Sequence, residues 1–136
     1  MSRAKILIMS GGRGKRLNKL TENTPKPLVR FRGRTILEFK IQQYMTQGYR
    51  DFVFCTGFAG DKIRQAVETA AFDINASFSE AGLEAGILER LYYARDFFDE
   101  NIVMTYGDTF TDIVVVDLLE SHVCSGNEAT IVVAPI

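Results

Sequence analysis

The sequence predicts an α/β fold: a three-layer sandwich around a mostly parallel, Rossmann-like sheet. Three observations predict it. Short apolar runs bounded by glycine alternate with longer segments whose apolar residues recur at helical spacing. The connections between them are those of alternating strands and helices rather than of hairpins. Finally, 136 residues with 46% hydrophobic and 24% charged content suffice for one ordinary core and not for two, so residues 1–136 read as a single domain.

Ala4 to Ser10 (AKILIMS), closed by Gly11 and Gly12, suits a strand buried on both faces. A long loop follows. From Thr35, TILEFKIQQYMTQG places Leu37, Ile41, Tyr44 and Met45 on one helical stripe, with Gly48 as the stop. Asp51 to Gly57 reads as a second strand, and residues 59–71 as a helix burying Ile63, Val67 and Ala70. Residues 73–79 alternate weakly and form a third strand. In LEAGILERLYYARDFF the residues Ile87, Leu88, Leu91, Ala94 and Phe98 fall at helical spacing, and Gly86, costly inside a helix by roughly 1 kcal/mol, can mark its start. NIVMTYGD is a fourth strand ending at Gly107 and Asp108. Residues 114–126 form a helix closed by Gly126, and EATIVVAPI a last strand. In such a sheet ligands bind outside the carboxyl ends of the strands, which selects the loop after the first strand and Asp108 after the fourth.

Charge points to the same place. The net charge is −1, yet ten of the 16 Lys and Arg fall within residues 1–34, against the single acid Glu22. This is a local anion site on an acidic chain rather than a nucleic-acid surface. No apolar run is long enough for a membrane span, and the apolar stretch near the N-terminus is too short for a secretory signal, so a cytoplasmic protein is expected. Cys55 and Cys124 match no metal-ligand spacing and read as small core residues in a reducing compartment.

The basic segment is SGGRGKRLNKLTENTPKPLV, from Ser10 to Val29. It is not a Walker A loop: Gly14-Lys15 has Met9 where the first glycine belongs and is followed by Arg16. It is not a dinucleotide fingerprint either, because Leu17 stands at the third glycine and Cys55 and Thr56 end the second strand in place of an acid. What remains is a glycine-rich turn whose bare amides can approach phosphates or a base, then Arg16, then Lys26 held between Pro25 and Pro27. Flanking prolines lower the entropy lost in aiming the ammonium. A triphosphate needs several cations on its leaving pyrophosphate and one fixed cation near the attacked phosphorus. Asp108, on the same rim, could share a metal ion with such a polyanion or could be a turn or capping aspartate.

Gly11-Gly12-Arg13-Gly14-Lys15-Arg16-Leu17, Leu20-Thr21 and Thr24-Pro25-Lys26-Pro27-Leu28 together resemble the signature of the sugar-nucleotide nucleotidyltransferases. The resemblance implies that Ser10, Gly11, Gly12, Arg13, Gly14 and Lys15 hold a nucleoside triphosphate, Arg16 its phosphates, Lys26 the reacting phosphates, and Asp108 a Mg²⁺ ion. More loosely, residues 86–91 (GILERL) and Thr105-Tyr106-Gly107-Asp108 are similar to the cytidylyltransferase branch, which implies CTP as donor and Gly86 as a base or acceptor contact. The family's fold is the sandwich derived above, and its members usually continue into a sugar-binding half with a second acidic metal ligand. This sequence ends before that half. In length it is similar to the compact cytidylyltransferase domains joined to phosphoenolpyruvate mutase in phosphonate antibiotic biosynthesis, which implies 2-hydroxyethylphosphonate as acceptor. Two alternatives stand beside that: a hexose-1-phosphate nucleotidyltransferase fragment, and a nucleotide-binding regulatory domain without turnover. A homo-oligomer or a fused second domain would cover the sheet edges.

Several residues have plainer readings. Gly86 can simply open a helix. His122 is expected as a surface or packing residue, Glu80, Asp112 and Asp117 in turns and caps, and Tyr92, Tyr93, Phe97 and Phe98 in core or interface.

Overall fold

A computed structural model describes residues 3–12 and 23–135. The first strand, β1 (Lys5–Met9), is followed by a 3-10 turn at Lys26–Leu28 and a small hairpin of β2 (Arg30–Phe31) and β3 (Arg34–Thr35). Then come α1 (Ile36–Met45), β4 (Asp51–Thr56), α2 (Gly60–Ala70), β5 (Asn75–Glu80), α3 (Ile87–Ala94), a 3-10 turn at Arg95–Phe97, β6 (Ile102–Tyr106) and α4 (Val115–Ser125). The hairpin was not expected from the sequence. Its two-residue turn, Arg32-Gly33, has φ of 49° and 81°, the double positive φ that matches strand twist and that glycine tolerates best.

The main sheet has the order β5-β4-β1-β6, and every pairing in it is parallel. Strand alternation divides the core. Ile6, Ile8, Phe52 and Phe54 face Leu37, Ile41, Tyr44, Ile63, Val67, Val115 and Leu119, so α1, α2 and α4 cover one side. Leu7, Met9, Val53 and Cys55 face Ala94, with Leu91, Phe97 and Phe98 against them, so α3 covers the other. This is the three-layer sandwich that the alternating pattern predicts.

Three expectations are corrected. Residues 128–135 form no strand: Ile131 is 82% exposed and Val133 83%, and no backbone bond ties them to the sheet, so a β-prone run without a neighbouring strand stays irregular. On α3 the buried face is Arg90 and Ala94, with Leu91 half-buried; Leu88 is 81% exposed because the helix turns Arg90 and Ala94, one turn apart, inward. Cys55 is buried as expected, but Cys124 lies exposed on the outer face of α4; both are free thiols. Among the described residues no helix is long and apolar enough to cross a membrane.

Candidate active site

The chain reverses its winding direction at β1, with β4 and β5 on one side and β6 on the other. The crevice at such a switch point, beyond the carboxyl ends of β1 and β6, is where open parallel sheets bind ligands. Met9 and Tyr106 are register partners there, and Gly107 N–H donates to Met9 O at 2.9 Å.

Close packing at this corner brings two distant segments together. A Cβ on Gly107 would stand 3.1 Å from Pro27 Cγ and 3.2 Å from Met9 O, tight enough that the bare backbone eases the approach of the Pro25–Leu28 turn to the sheet end. Pro25 and Pro27 are buried, and Leu28 N–H closes the turn on Pro25 O at 2.8 Å. The Lys62 ammonium on α2 donates to Asn23 O and tethers the start of the segment. Lys26 is thereby aimed across the crevice, and its Nζ pairs with Asp108 Oδ2 at 2.5 Å, both side chains half-buried. Lysine and aspartate lie 82 residues apart in sequence and meet at the predicted rim.

Behind Asp108 lies a second cation that sequence reasoning missed. Lys40 of α1 is fully buried, its Nζ donating to Thr109 O and lying 5.3 Å from the Phe110 ring centroid and 5.5 Å from that of Tyr44. Burial pulls its ammonium down to about 8, against the opposing pull of the Asp108 charge. A signal was present: Lys40 sits three residues after Leu37 and four before Tyr44, on the buried stripe itself.

Toward β4 the rim is built on a buried arginine. Arg90 Nη1 donates to Thr56 O at 2.7 Å and Nη2 to Gly11 O at 3.4 Å, and its guanidinium fills the space where Gly11 and Gly57 lack side chains. Gly11 O also accepts from Phe58 N–H at 3.2 Å. Ser10 is buried, with its hydroxyl on Cys55 O at 3.3 Å, so its side chain serves the sheet, while Gly12 is exposed. Gly86 is the exposed N-cap of α3, and its N–H donates to Glu89 Oε2 at 2.7 Å. Beside this rim, Thr56, Gly60, Arg64, Phe78 and Glu80 line a concavity of about 320 Å³, where Arg64 lies over the Phe78 ring at 4.2 Å. Arg13, Gly14, Lys15 and Arg16 fall outside the described residues. His122 is a surface residue whose Nδ1 bonds the Thr130 hydroxyl at 2.8 Å.

Among the described residues no three His, Cys, Asp or Glu side chains gather as a metal-binding group. A Mg²⁺ ion held mainly by substrate phosphates asks for only one or two protein carboxylates. Asp108, half-buried at the crevice and an acceptor only, fits one such share.

Comparison with known proteins bears on the family and the fold. A family model described as "Nucleotidyl transferase" matches residues 5–136. The chain is 26% identical to a probable glucose-1-phosphate cytidylyltransferase of Bacillus subtilis, over 93% of this chain and 59% of that protein. It is 34% identical to a mannose-1-phosphate guanyltransferase of Gibberella zeae, over 97% of this chain and 38% of that one. It thus spans less than two thirds of the length of either relative. Among solved structures, HddC from Yersinia pseudotuberculosis, complexed with GMP-PN, superposes with a TM-score of 0.80 at 20% identity, over 88% of this chain and 54% of that chain, a likeness of fold.

Proposed function

Since the chain belongs to the nucleotidyl transferase family, we propose that it carries the nucleotide-binding and reacting part of a nucleotidyltransferase, with CTP as donor and an anionic phosphate or phosphonate as acceptor. The observation that carries this reading is the Lys26–Asp108 pair at the switch-point crevice, 2.5 Å apart. In the free protein each charge satisfies the other. A polyphosphate with its cation would separate them, the ammonium turning to phosphate oxygens and the carboxylate to the metal.

The acceptor oxygen forms a bond to the α-phosphorus while the bond from that phosphorus to the bridging oxygen breaks, and the electron pair leaves on pyrophosphate. The acceptor is already ionised at neutral pH, so no side chain has to remove a proton; alignment and charge offset are what the protein supplies. Lys26, fixed by its prolines, would offset charge developing at the attacked phosphate, and Gly12 leaves the backbone open to the nucleotide. Arg13, Gly14, Lys15 and Arg16 are assigned to the triphosphate and Gly86 to the base or the acceptor on the strength of the sequence resemblance. Asp108 would hold Mg²⁺, which when bound offsets phosphate charge.

The cytidylyltransferase relative supports CTP, and the names of both sugar-phosphate relatives favour a hexose 1-phosphate acceptor. 2-Hydroxyethylphosphonate rests on the sequence resemblance alone. A pyrophosphate-release assay with Mg²⁺, each of the four nucleoside triphosphates, and glucose 1-phosphate, mannose 1-phosphate or 2-hydroxyethylphosphonate separates the readings. Release with CTP and one acceptor is expected. Binding of CTP without release from any pair would replace the enzyme by a nucleotide-sensing domain.

A further inference from the structure

We propose that Lys40 is a positioning residue for this reaction: from the buried face of α1 it fixes the loop that carries Asp108, so that the carboxylate is in place before metal or phosphate arrives. The inference rests on reading the crevice as the nucleotide site.

After β6 the chain leaves the sheet and runs without regular structure until α4 begins at Val115. Its carbonyls are nonetheless taken up in sequence. Lys40 Nζ donates to Thr109 O, Gln43 Nε2 to Thr111 O and Gln47 Nε2 to Ile113 O at 3.4 Å, and Gln47 Oε1 accepts from Val115 N–H at 2.8 Å. Lys40 and Gln43 lie one turn apart on α1, stepping by roughly 4.5 Å along the axis, and Gln47 follows in the turn just past the end of the helix. Alternate residues of an extended chain step by roughly 6.6 Å. The two spacings are close enough for the loop to lie along α1, one carbonyl to each side chain, with the first of these bonds next to Asp108.

Position 40 differs from 43 and 47 in chemistry. A glutamine amide suffices to hold a carbonyl, as the other two show, whereas a buried ammonium costs several kcal/mol unless it is offset. Among the described residues no carboxylate forms an ion pair with Lys40. Its charge is offset by Thr109 O, by the faces of Tyr44 and Phe110, and by Asp108 next along the chain. A buried ammonium there does what an amide cannot: it attracts the Asp108 charge and holds that carboxylate from behind.

The test uses Lys40→Met, which keeps length and removes charge and donor. Amide hydrogen exchange of the free protein is read over residues 107–111, and the Mg²⁺ concentration for half-maximal pyrophosphate release is read beside KM for CTP. Exchange there is expected to rise about tenfold or more, with α2 and β5 unchanged. The Mg²⁺ requirement is expected to rise about tenfold while KM for CTP stays within about threefold. Wild-type exchange at 107–111 together with a wild-type Mg²⁺ requirement overturns the proposal. Should Lys40→Met lose its cooperative melt, Lys40→Gln takes its place. It keeps an amide donor and removes the charge, and is expected to raise exchange over 107–111 and the Mg²⁺ requirement in the same direction; wild-type values of both overturn the proposal equally. If the wild-type protein releases no pyrophosphate with any pair, the nucleotidyl-transfer reading fails on its own, and the exchange measurement still decides whether Lys40 holds the loop.

Discussion

At Gly11 a methyl group would stand 2.0 Å from Arg90 Nη1, and at Gly57 2.4 Å from the same atom. What lies beneath these glycines, a buried guanidinium, accounts for them without an unusual φ. An alanine at position 11 would push the Arg90 side chain off Thr56 O and Gly11 O. Gly11→Ala is expected to lower unfolding free energy by about 1–3 kcal/mol in urea titration, the cost of breaking buried hydrogen bonds. In an Arg90→Ala background the same change is expected to cost only a few tenths of a kcal/mol, since the obstruction is gone. Equal costs in both backgrounds would remove Arg90 as the cause. At this scale the sequence was partly legible. Lys26 and Asp108 were identifiable because proline flanks and a strand-end Gly-Asp leave a local trace. Lys40 and Arg90 were not singled out, because charged residues on an apolar stripe are ordinarily solvated and their burial depends on partners 69 and 34 residues away.

Helix α1 shows how an element is set by its ends. Thr35 accepts from Glu38 N–H at 3.1 Å, and Glu38 Oε2 accepts from Thr35 N–H at 2.6 Å, a reciprocal cap at the start of the helix that carries Lys40. The backbone bond from Thr35 holds the Glu38 carboxyl below the usual carboxylate range. A lowered folded value means that the stabilisation is complete above the unfolded glutamate value and is lost as pH falls through the folded one. Glu38→Gln is expected to lower stability by about 0.5–1 kcal/mol at neutral pH, with the gap to wild type closing below about pH 4. A gap independent of pH would separate the cap from the carboxylate charge. Element types were legible because periodicity and glycine stops are local: Gly86 and Gly126 bound helices as read. The run at 128–135 misled because β-propensity has no force without a neighbouring strand, and the Arg32-Gly33 hairpin was passed over inside what read as one long loop.

Across the whole molecule, the strand order turns local signals into a site. The order β5-β4-β1-β6 places the ends of β1 and β6 side by side, and the Pro27–Gly107 contact then closes Lys26 on Asp108. The three-layer class followed from alternation alone, and the crevice followed from the rule for parallel sheets. The ion pair across it could not be read beforehand, since it needs the tertiary packing of segments that share no sequence pattern. If that pair is the reacting centre, removing either charge should abolish chemistry and leave the sandwich standing, because both side chains lie at the rim and not in the core. The most direct measurement is the initial rate of pyrophosphate release from Mg²⁺·CTP with the preferred acceptor, taken side by side for wild type, Lys26→Ala and Asp108→Ala. Both variants are expected to melt cooperatively and to lose about a hundredfold or more in rate; a wild-type rate in either would contradict the assignment of the crevice as the nucleotidyl-transfer site.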